Sequence, residues 1–228
     1  MSVLTFQQWL NGHGANIVAD GLWGPATEAA TLKVFTNTGA AAVTPDEIAQ
    51  IAAALGVSVK QVNAVAKVES RGGGFDQLGR PVPLFERHKF DQHTGGRYRA
   101  KIPDLSNPQW GGYGASSAQW GRILRACRYD PSAAFQSASW GKFQVLGEYY
   151  DDDQFGFATV WDFVLTMTQS ELGHYQALAS FIRMKSLQDE MRALSTNPEH
   201  NRPFALRYNG SKYADNNYHV KLAQEMGR

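Results

Sequence analysis

The sequence predicts a mainly α-helical protein: a helical domain with a small β-ribbon, preceded by a small helical unit. Three observations predict it. Several stretches pair an N-cap residue with apolar residues at helical spacing. A proline- and glycine-rich stretch, Phe75 to Phe90, interrupts them and favours short extended pieces. A small, polar run, NTGAAAV from Asn37 to Val43, separates a short N-terminal segment from the rest. The expected organisation is an N-terminal unit at 1–38, a linker at 39–46 and a helical domain at 47–228.

In chain order, Thr5 to Leu10 reads as a short helix with Phe6, Trp9 and Leu10 as its apolar residues. Turns follow at Asn11–Gly14 and Asp20–Gly21. Pro25 suits a first helical turn, and Glu28 suits the positive end of the helix running from Ala26 to about Phe35. Thr44, Pro45 and Glu47 form a strong start for a helix to Leu55, and Gly56 stops it. Ser58 with Gln61 three residues on is a capping box for the next helix. There Val62, Val65, Ala66 and Glu69 share one face, so Glu69 continues an apolar stripe at a helix C-terminus. Gly72, Gly73 and Gly74 end that helix.

Beyond it, the ribbon is expected around Pro83 to Phe85 with a turn at Gly79-Arg80, and Gly95 to Gly114 is loop. Ser116 to Cys127 is a helix with Trp120, Ile123, Leu124 and Cys127 on one face. Asp130-Pro131 starts another to about Ser137. Ser139 to Gly147 is expected as a helical turn and helix, capped by Ser139. Thr159 to Arg183 has long helical periodicity, broken near Gly173. Ser186 and Asp189 cap a helix to Leu194, and Phe204–Gly210 and Asn217–Met226 complete the chain.

Composition bounds the chemistry. The 228 residues are 43% hydrophobic and 12% aromatic, enough to fill a core. The formal net charge of +1 points to neither nucleic acid nor an acidic partner. Locally, Arg80, Arg87, Lys89, Arg97, Arg99 and Lys101 make a basic run, readable as a solvated face or a site for a polyanion. The single cysteine, Cys127, permits no intrachain disulfide and falls on an apolar helix face. The six histidines lack the spacing of a zinc site, so no metal or cofactor is expected. The N-terminus lacks the pattern of a signal peptide, and no apolar stretch has membrane length, so a cytoplasmic origin is expected.

A carboxyl group on an apolar face at the negative end of a helix holds its proton for two reasons, desolvation and the helix dipole. Glu69 therefore has the makings of a general acid, and an ion pair with an arginine such as Arg71, or plain solvation, is the alternative.

Two resemblances give these features a context. The segment FQQWLNGHGANIVADGLWGPATEAATLKVF resembles a short member of the peptidoglycan-binding domain family, chiefly through DGLWGPAT. VES at 68–70, LFERH at 84–88, SWGKFQ at 139–144 and ALRYNG at 205–210 fall in the order seen in the lysozyme-like superfamily. More closely, VESRGGGFDQLGRPVPLFERHKF resembles the N-acetylmuramidase domain of phage endolysins. This resemblance implies a lysozyme-like fold and hydrolysis of the β-1,4 bond between N-acetylmuramic acid and N-acetylglucosamine, with Glu69 as catalytic acid. It implies peptidoglycan as the partner, a monomer without nucleic-acid or stable membrane association, and release to the wall by a separate membrane-lesion protein. Glycoside cleavage commonly uses a second carboxylate. Glu86 is the first candidate, ahead of Asp76 and Asp91, with a structural ion pair to Arg87 or His88 as the alternative. Gln144, Tyr208 and Asn209 are candidates for sugar binding and for orienting Glu69. Trp110, Tyr113, Trp120, Trp140 and Trp161 are either sugar platforms or core. A lytic transglycosylase, or a non-catalytic wall-binding phage protein, are the rival functions.

Overall fold

The computed structural model of the protein describes residues 1–69 and 73–228. The chain opens with α1 (Val3–Gly12), capped by Ser2, whose hydroxyl accepts the Thr5 N–H, and α2 (Pro25–Val34), with Pro25 in its first turn. Next come α3 (Pro45–Leu55) and α4 (Val59–Glu69), which meet at 107°. The Thr44–Glu47 capping box starts α3, and Gly56, left-handed at φ 68°, ends it. The Ser58–Gln61 box starts α4: Gln61 N–H donates to Ser58 Oγ, and Ser58 N–H to Gln61 Oε1.

The ribbon follows. β1 (Pro83–Phe85) precedes α5 (Arg87–His93), α6 (Gln119–Cys127) and α7 (Pro131–Gln136). β2 (Ala138–Trp140) and β3 (Val145–Leu146) complete an antiparallel sheet of order β1-β2-β3, with Phe85 opposite Ala138 and Trp140 opposite Val145. The remaining helices are α8 (Val160–Gln169), α9 (Glu171–Met184), α10 (Gln188–Arg192), α11 (Arg202–Asn209) and α12 (Tyr218–Gly227).

Four expectations are corrected. Ser139 to Gly147 is not helix: β2 turns into β3 through Gly141 and Gln144, both at positive φ. Ser139 is therefore a strand residue rather than a cap. The long helical stretch, expected to break or bend near Gly173, breaks three residues earlier at Ser170, which is extended (φ −162°, ψ 164°). Gly173 lies inside α9, where a Cβ would come 2.3 Å from the Thr166 carbonyl oxygen; it is a close-packing glycine between α8 and α9. Ser186 has φ +50° and does not cap α10, which begins at Gln188 after Leu187. Finally, the last residues of the Phe75–Phe90 stretch, expected as mostly extended, belong to α5, which begins past Pro81 and Pro83.

A single aromatic cluster runs from the N-terminal helices into the rest of the molecule. Phe6, Phe35, Phe135, Trp140 and Trp161 are all fully buried. Phe6 lies 4.7 Å from the Trp161 ring and 5.8 Å from Phe135, and Phe35 lies 5.0 Å from Phe135. Trp9 donates its indole N–H to Asp162 on α8 (2.9 Å). Arg128 pairs with Glu28 at 2.6 Å. The stretch between α2 and α3 is also tied down: Ala41 bridges Ser170, and Val43 N–H donates to Glu171 Oε2.

Candidate active site

Glu69 is the last residue of α4, on the stripe formed by buried Val62, Val65 and Ala66. That stripe packs against α12, whose first residue is Tyr218. Asn217, left-handed at φ 51°, turns the chain so that the Tyr218 hydroxyl donates to Glu69 Oε1 at 2.6 Å. Burial raises the Glu69 pKa, and the Tyr218 hydrogen bond partly opposes it. The Tyr218 phenol is itself pushed well up by burial and by the Glu69 charge, so it remains a donor. Tyr208 stands behind it: its ring stacks on Tyr218 at 6.1 Å and on Phe204 at 5.2 Å, with Phe181 edge-on at 5.5 Å. Asn209 ends α11 beside it and is exposed. The alternative partner Arg71, with Ser70 and Gly72, lies outside the described residues.

Glu86 occupies the junction between β1 and α5. Its backbone N–H donates to the Ser137 carbonyl, and its carboxyl is 14% exposed. Ser139 Oγ donates to Oε1 at 3.3 Å, and His88 Nε2 lies 3.5 Å from Oε2. Burial raises the Glu86 pKa; the charges of His88 and Lys89 and the Ser139 hydrogen bond lower it, and Glu148 raises it. Glu148 is gripped by Lys89 (2.8 Å) and His93 (3.2 Å), which hold it down at about 2. Tyr113 is pushed up to about 12 by burial and by the Glu86 charge. The rival carboxylates are committed elsewhere: Asp76 to Arg80 at 2.7 Å, and buried Asp91 to Arg99 at 2.6 Å and to Ser106. Within the basic run, Arg80, Lys89 and Arg99 are paired with carboxylates of the fold.

Gln144 lies in the β2–β3 turn with its amide nitrogen donating to the Val82 and Gly141 carbonyls (3.2 and 2.8 Å). It fastens the turn to β1's leading edge. Between that turn and Gly74 sits His174, 1% exposed, on α9. Its Nδ1 accepts the Lys142 N–H at 2.9 Å, and burial lowers its pKa to about 4, so the ring is neutral at pH 7. The ring occupies the space that a side chain at Gly74 or Gly141 would need: a Cβ would fall 2.8 Å from Cε1 or 2.1 Å from Nδ1. Gly74 in turn accepts from Val82 N–H. The backbone at Gly74 is therefore held against the ribbon by one imidazole and two glycines.

Of the aromatic candidates, Trp120, Trp140 and Trp161 are buried core, whereas Trp110 is 70% exposed. Cys127 is fully buried. Among the described residues no group of His, Cys, Asp or Glu side chains is arranged to hold a metal ion. Tyr218 and His174 carried no expectation from sequence. Tyr218 lies 149 residues from Glu69, and a lone histidine in a helix gives no signal of the glycines it will meet.

This arrangement offers a carboxyl group biased toward its acid form and a second, partly desolvated carboxyl on the ribbon side, the equipment of glycoside cleavage. Across the whole molecule the structure resembles the crystal structure of the Burkholderia AP3 phage endolysin, with a TM-score of 0.76 and 29% identity over 99% of this chain and 94% of that one. No curated protein matches the sequence. The family model for N-acetylmuramidase matches residues 58–228, which span Glu69, Glu86 and their surroundings, and the chain belongs to the N-acetylmuramidase family.

Proposed function

We propose that the protein is a phage endolysin that hydrolyses the β-1,4 bond between N-acetylmuramic acid and N-acetylglucosamine, with Glu69 as general acid. The observation that carries this reading is the Glu69 carboxyl, half-buried at a helix C-terminus with its pKa raised and a phenol as its hydrogen-bond donor. In that state it delivers a proton to the glycosidic oxygen as the bond breaks. Tyr218 orients the acid and then stabilises the carboxylate left behind, and Tyr208 fixes the Tyr218 ring by stacking. Glu86 is the second carboxylate, and the charges of His88 and Lys89 favour the anion it needs as a base toward water. Gln144 shapes the ribbon edge, and exposed Asn209 is placed to meet sugar hydroxyl or N-acetyl groups.

Mass spectrometry of digested peptidoglycan tests the reaction. Products carrying an added water are expected. 1,6-Anhydro ends would instead make the protein a lytic transglycosylase, and a Glu69→Gln variant that lyses permeabilised cells as fast as wild type would remove Glu69 from the mechanism.

The N-terminal unit, in this reading, holds the wall. Its outer side exposes Val18 (78%) and Leu22 (71%) beside a hollow of about 370 Å³ that also includes Asn16, Asp20 and Thr27. Deletion of 1–38 is a poor test, because it strips cover from Phe135 and Trp161. Val18→Asp with Leu22→Asp leaves the core intact; weaker pelleting with purified walls, with hydrolysis of soluble fragments unchanged, is expected. Undiminished pelleting would take the role away from this face. Among the described residues no single helix is long and apolar enough to cross a membrane. Passage to the wall through a lesion made by another protein is part of this proposal.

A further inference from the structure

Trp110 has no place in the core and no role so far. It sits on the loop from Asn107 to Ala115, which is braced at both ends. Asn107 N–H donates to the Arg87 carbonyl, Arg87 Nε donates to the Gln109 carbonyl, and Gln119 Nε2 donates to the Tyr113 carbonyl at 2.6 Å. Gly111 and Gly112 follow Trp110 in left-handed conformations, φ 91° and 72°. At Gly112 the Arg87 guanidinium fills the place of a side chain, 2.6 Å from where a Cβ would be. The reversal thus holds a large, flat, apolar ring out toward solvent, propped edge-on against Tyr113 at 5.4 Å. Such exposure costs hydrophobic free energy that a packed tryptophan would gain.

The second half of the feature is Lys212. Its ammonium lies 5.8 Å from the Trp110 ring centroid. Among the described residues, no carboxylate pairs with it. Lys212 belongs to the turn that leads into Tyr218 and so to Glu69, whereas Trp110 belongs to the loop that leads through Tyr113 to Glu86. The contact joins the loop that precedes Tyr113 to the turn that precedes Tyr218.

We propose that Trp110 and Lys212 form a recognition site for a carboxylate-bearing amino sugar, the indole stacking on the pyranose face and the ammonium pairing with the anion. The inference rests on the reading of the protein as a peptidoglycan glycosidase, and adds which feature of that polymer is read. In peptidoglycan the anion is the carboxylate of the lactyl side group or of the peptide attached to it. Uncharged glucosamine polymers lack it. The aliphatic face of a sugar and an aromatic ring are complementary in the same way as other apolar surfaces, and a solvent-exposed ion pair adds modest affinity and more selectivity.

Binding measured in a Glu69→Gln background, where the glycan is not consumed, tests this. The probes are soluble muramyl-containing glycan fragments with free carboxylates and the same fragments with the carboxylates amidated. Trp110→Ala is expected to weaken both probes about tenfold, and Trp110→Phe to recover part of the loss. Lys212→Ala is expected to weaken the free-acid probe about threefold, an effect that fades with added salt, and to leave the amidated probe unchanged. Equal loss on both probes, or no loss on either, overturns the role of Lys212, and unchanged binding by Trp110→Ala overturns the platform. Failure of the glycosidase reading is seen separately, as continued cleavage by the Glu69→Gln protein.

Discussion

Glu69 and Glu86 are both partly buried carboxyls with raised pKa values, yet their surroundings differ in kind. Glu69 ends a helix against aromatic rings, and the hydrogen bond to its carboxyl comes from a neutral phenol. Glu86 sits among ionisable groups: His88 at 3.5 Å, the Lys89 charge, and beyond them Glu148 clasped by Lys89 and His93. Burial without charge favours a proton donor. Burial beside cations leaves a carboxylate that is partly restored to its anion. In the proposed mechanism two side chains of one type take opposite tasks, and the division follows from what packs on each rather than from the carboxyls themselves.

Substitutions can break or sharpen this contrast. The largest effect is expected from removing the acid: Glu69→Gln should lower kcat by about 10³-fold or more, against about 10²-fold for Glu86→Gln, in turbidity or muropeptide-release assays. A larger loss at Glu86 would invert the assignment. Next comes Tyr218→Phe. The hydrogen bond it removes favours the Glu69 anion, so the Glu69 pKa should rise further. Activity that needs protonated Glu69 falls as pH rises through that pKa, so the alkaline limb of the pH–rate profile should move to higher pH, with kcat reduced less than tenfold. A limb that stays in place would mean that Tyr218 does not act on the acid. The smallest effect is expected from Glu148→Gln. Loss of that negative charge lowers the Glu86 pKa, and a base must be deprotonated, so the acidic limb should move to lower pH while the alkaline limb holds. Movement of both limbs together would show that the two carboxyls titrate as one pair.

Linkage gives the contrast a stability side. Glu69 has a folded pKa above its unfolded value of about 4.5, so its contribution to stability is fully present below that value and is lost as pH rises through the folded pKa. Gln at this position carries no such dependence. The melting temperature of Glu69→Gln relative to wild type should therefore climb as pH is raised from 4 toward neutrality, and a constant difference would contradict the raised pKa.

Much of this was open to reading from sequence because it rests on local chemistry. The Thr44–Glu47 and Ser58–Gln61 boxes, the helix stop at Gly56 and the apolar stripe through Val62, Val65 and Ala66 all act within a few residues. They place Glu69 at its helix end without help from the rest of the fold. The hairpin at Ser139–Leu146 was hidden because strands of three and two residues carry no usable alternation, and because Gln144 adopts positive φ without being glycine. Gly173 looked like a break when its purpose is the approach of the Thr166 carbonyl, a fact of another helix. The partners of the two carboxyls, Tyr218 and Ser139, are brought in by tertiary packing alone. His174 shows the same limit from the other side: Gly74 and Gly141 look like turn residues until the ring between them is seen.

The aromatic cluster joining Phe6 and Phe35 to Phe135 and Trp161 has a practical consequence for recombination among lytic enzymes. Wall-targeting segments are attractive parts to exchange between proteins, on the assumption that they are beads on a string. Here the segment 1–38, the proposed wall-binding unit, supplies side chains to the interior of its neighbour, and Trp9 donates its indole N–H to Asp162. A chimera that replaces them must rebuild that interior, and calorimetry of the intact chain is expected to show one melting transition for both parts.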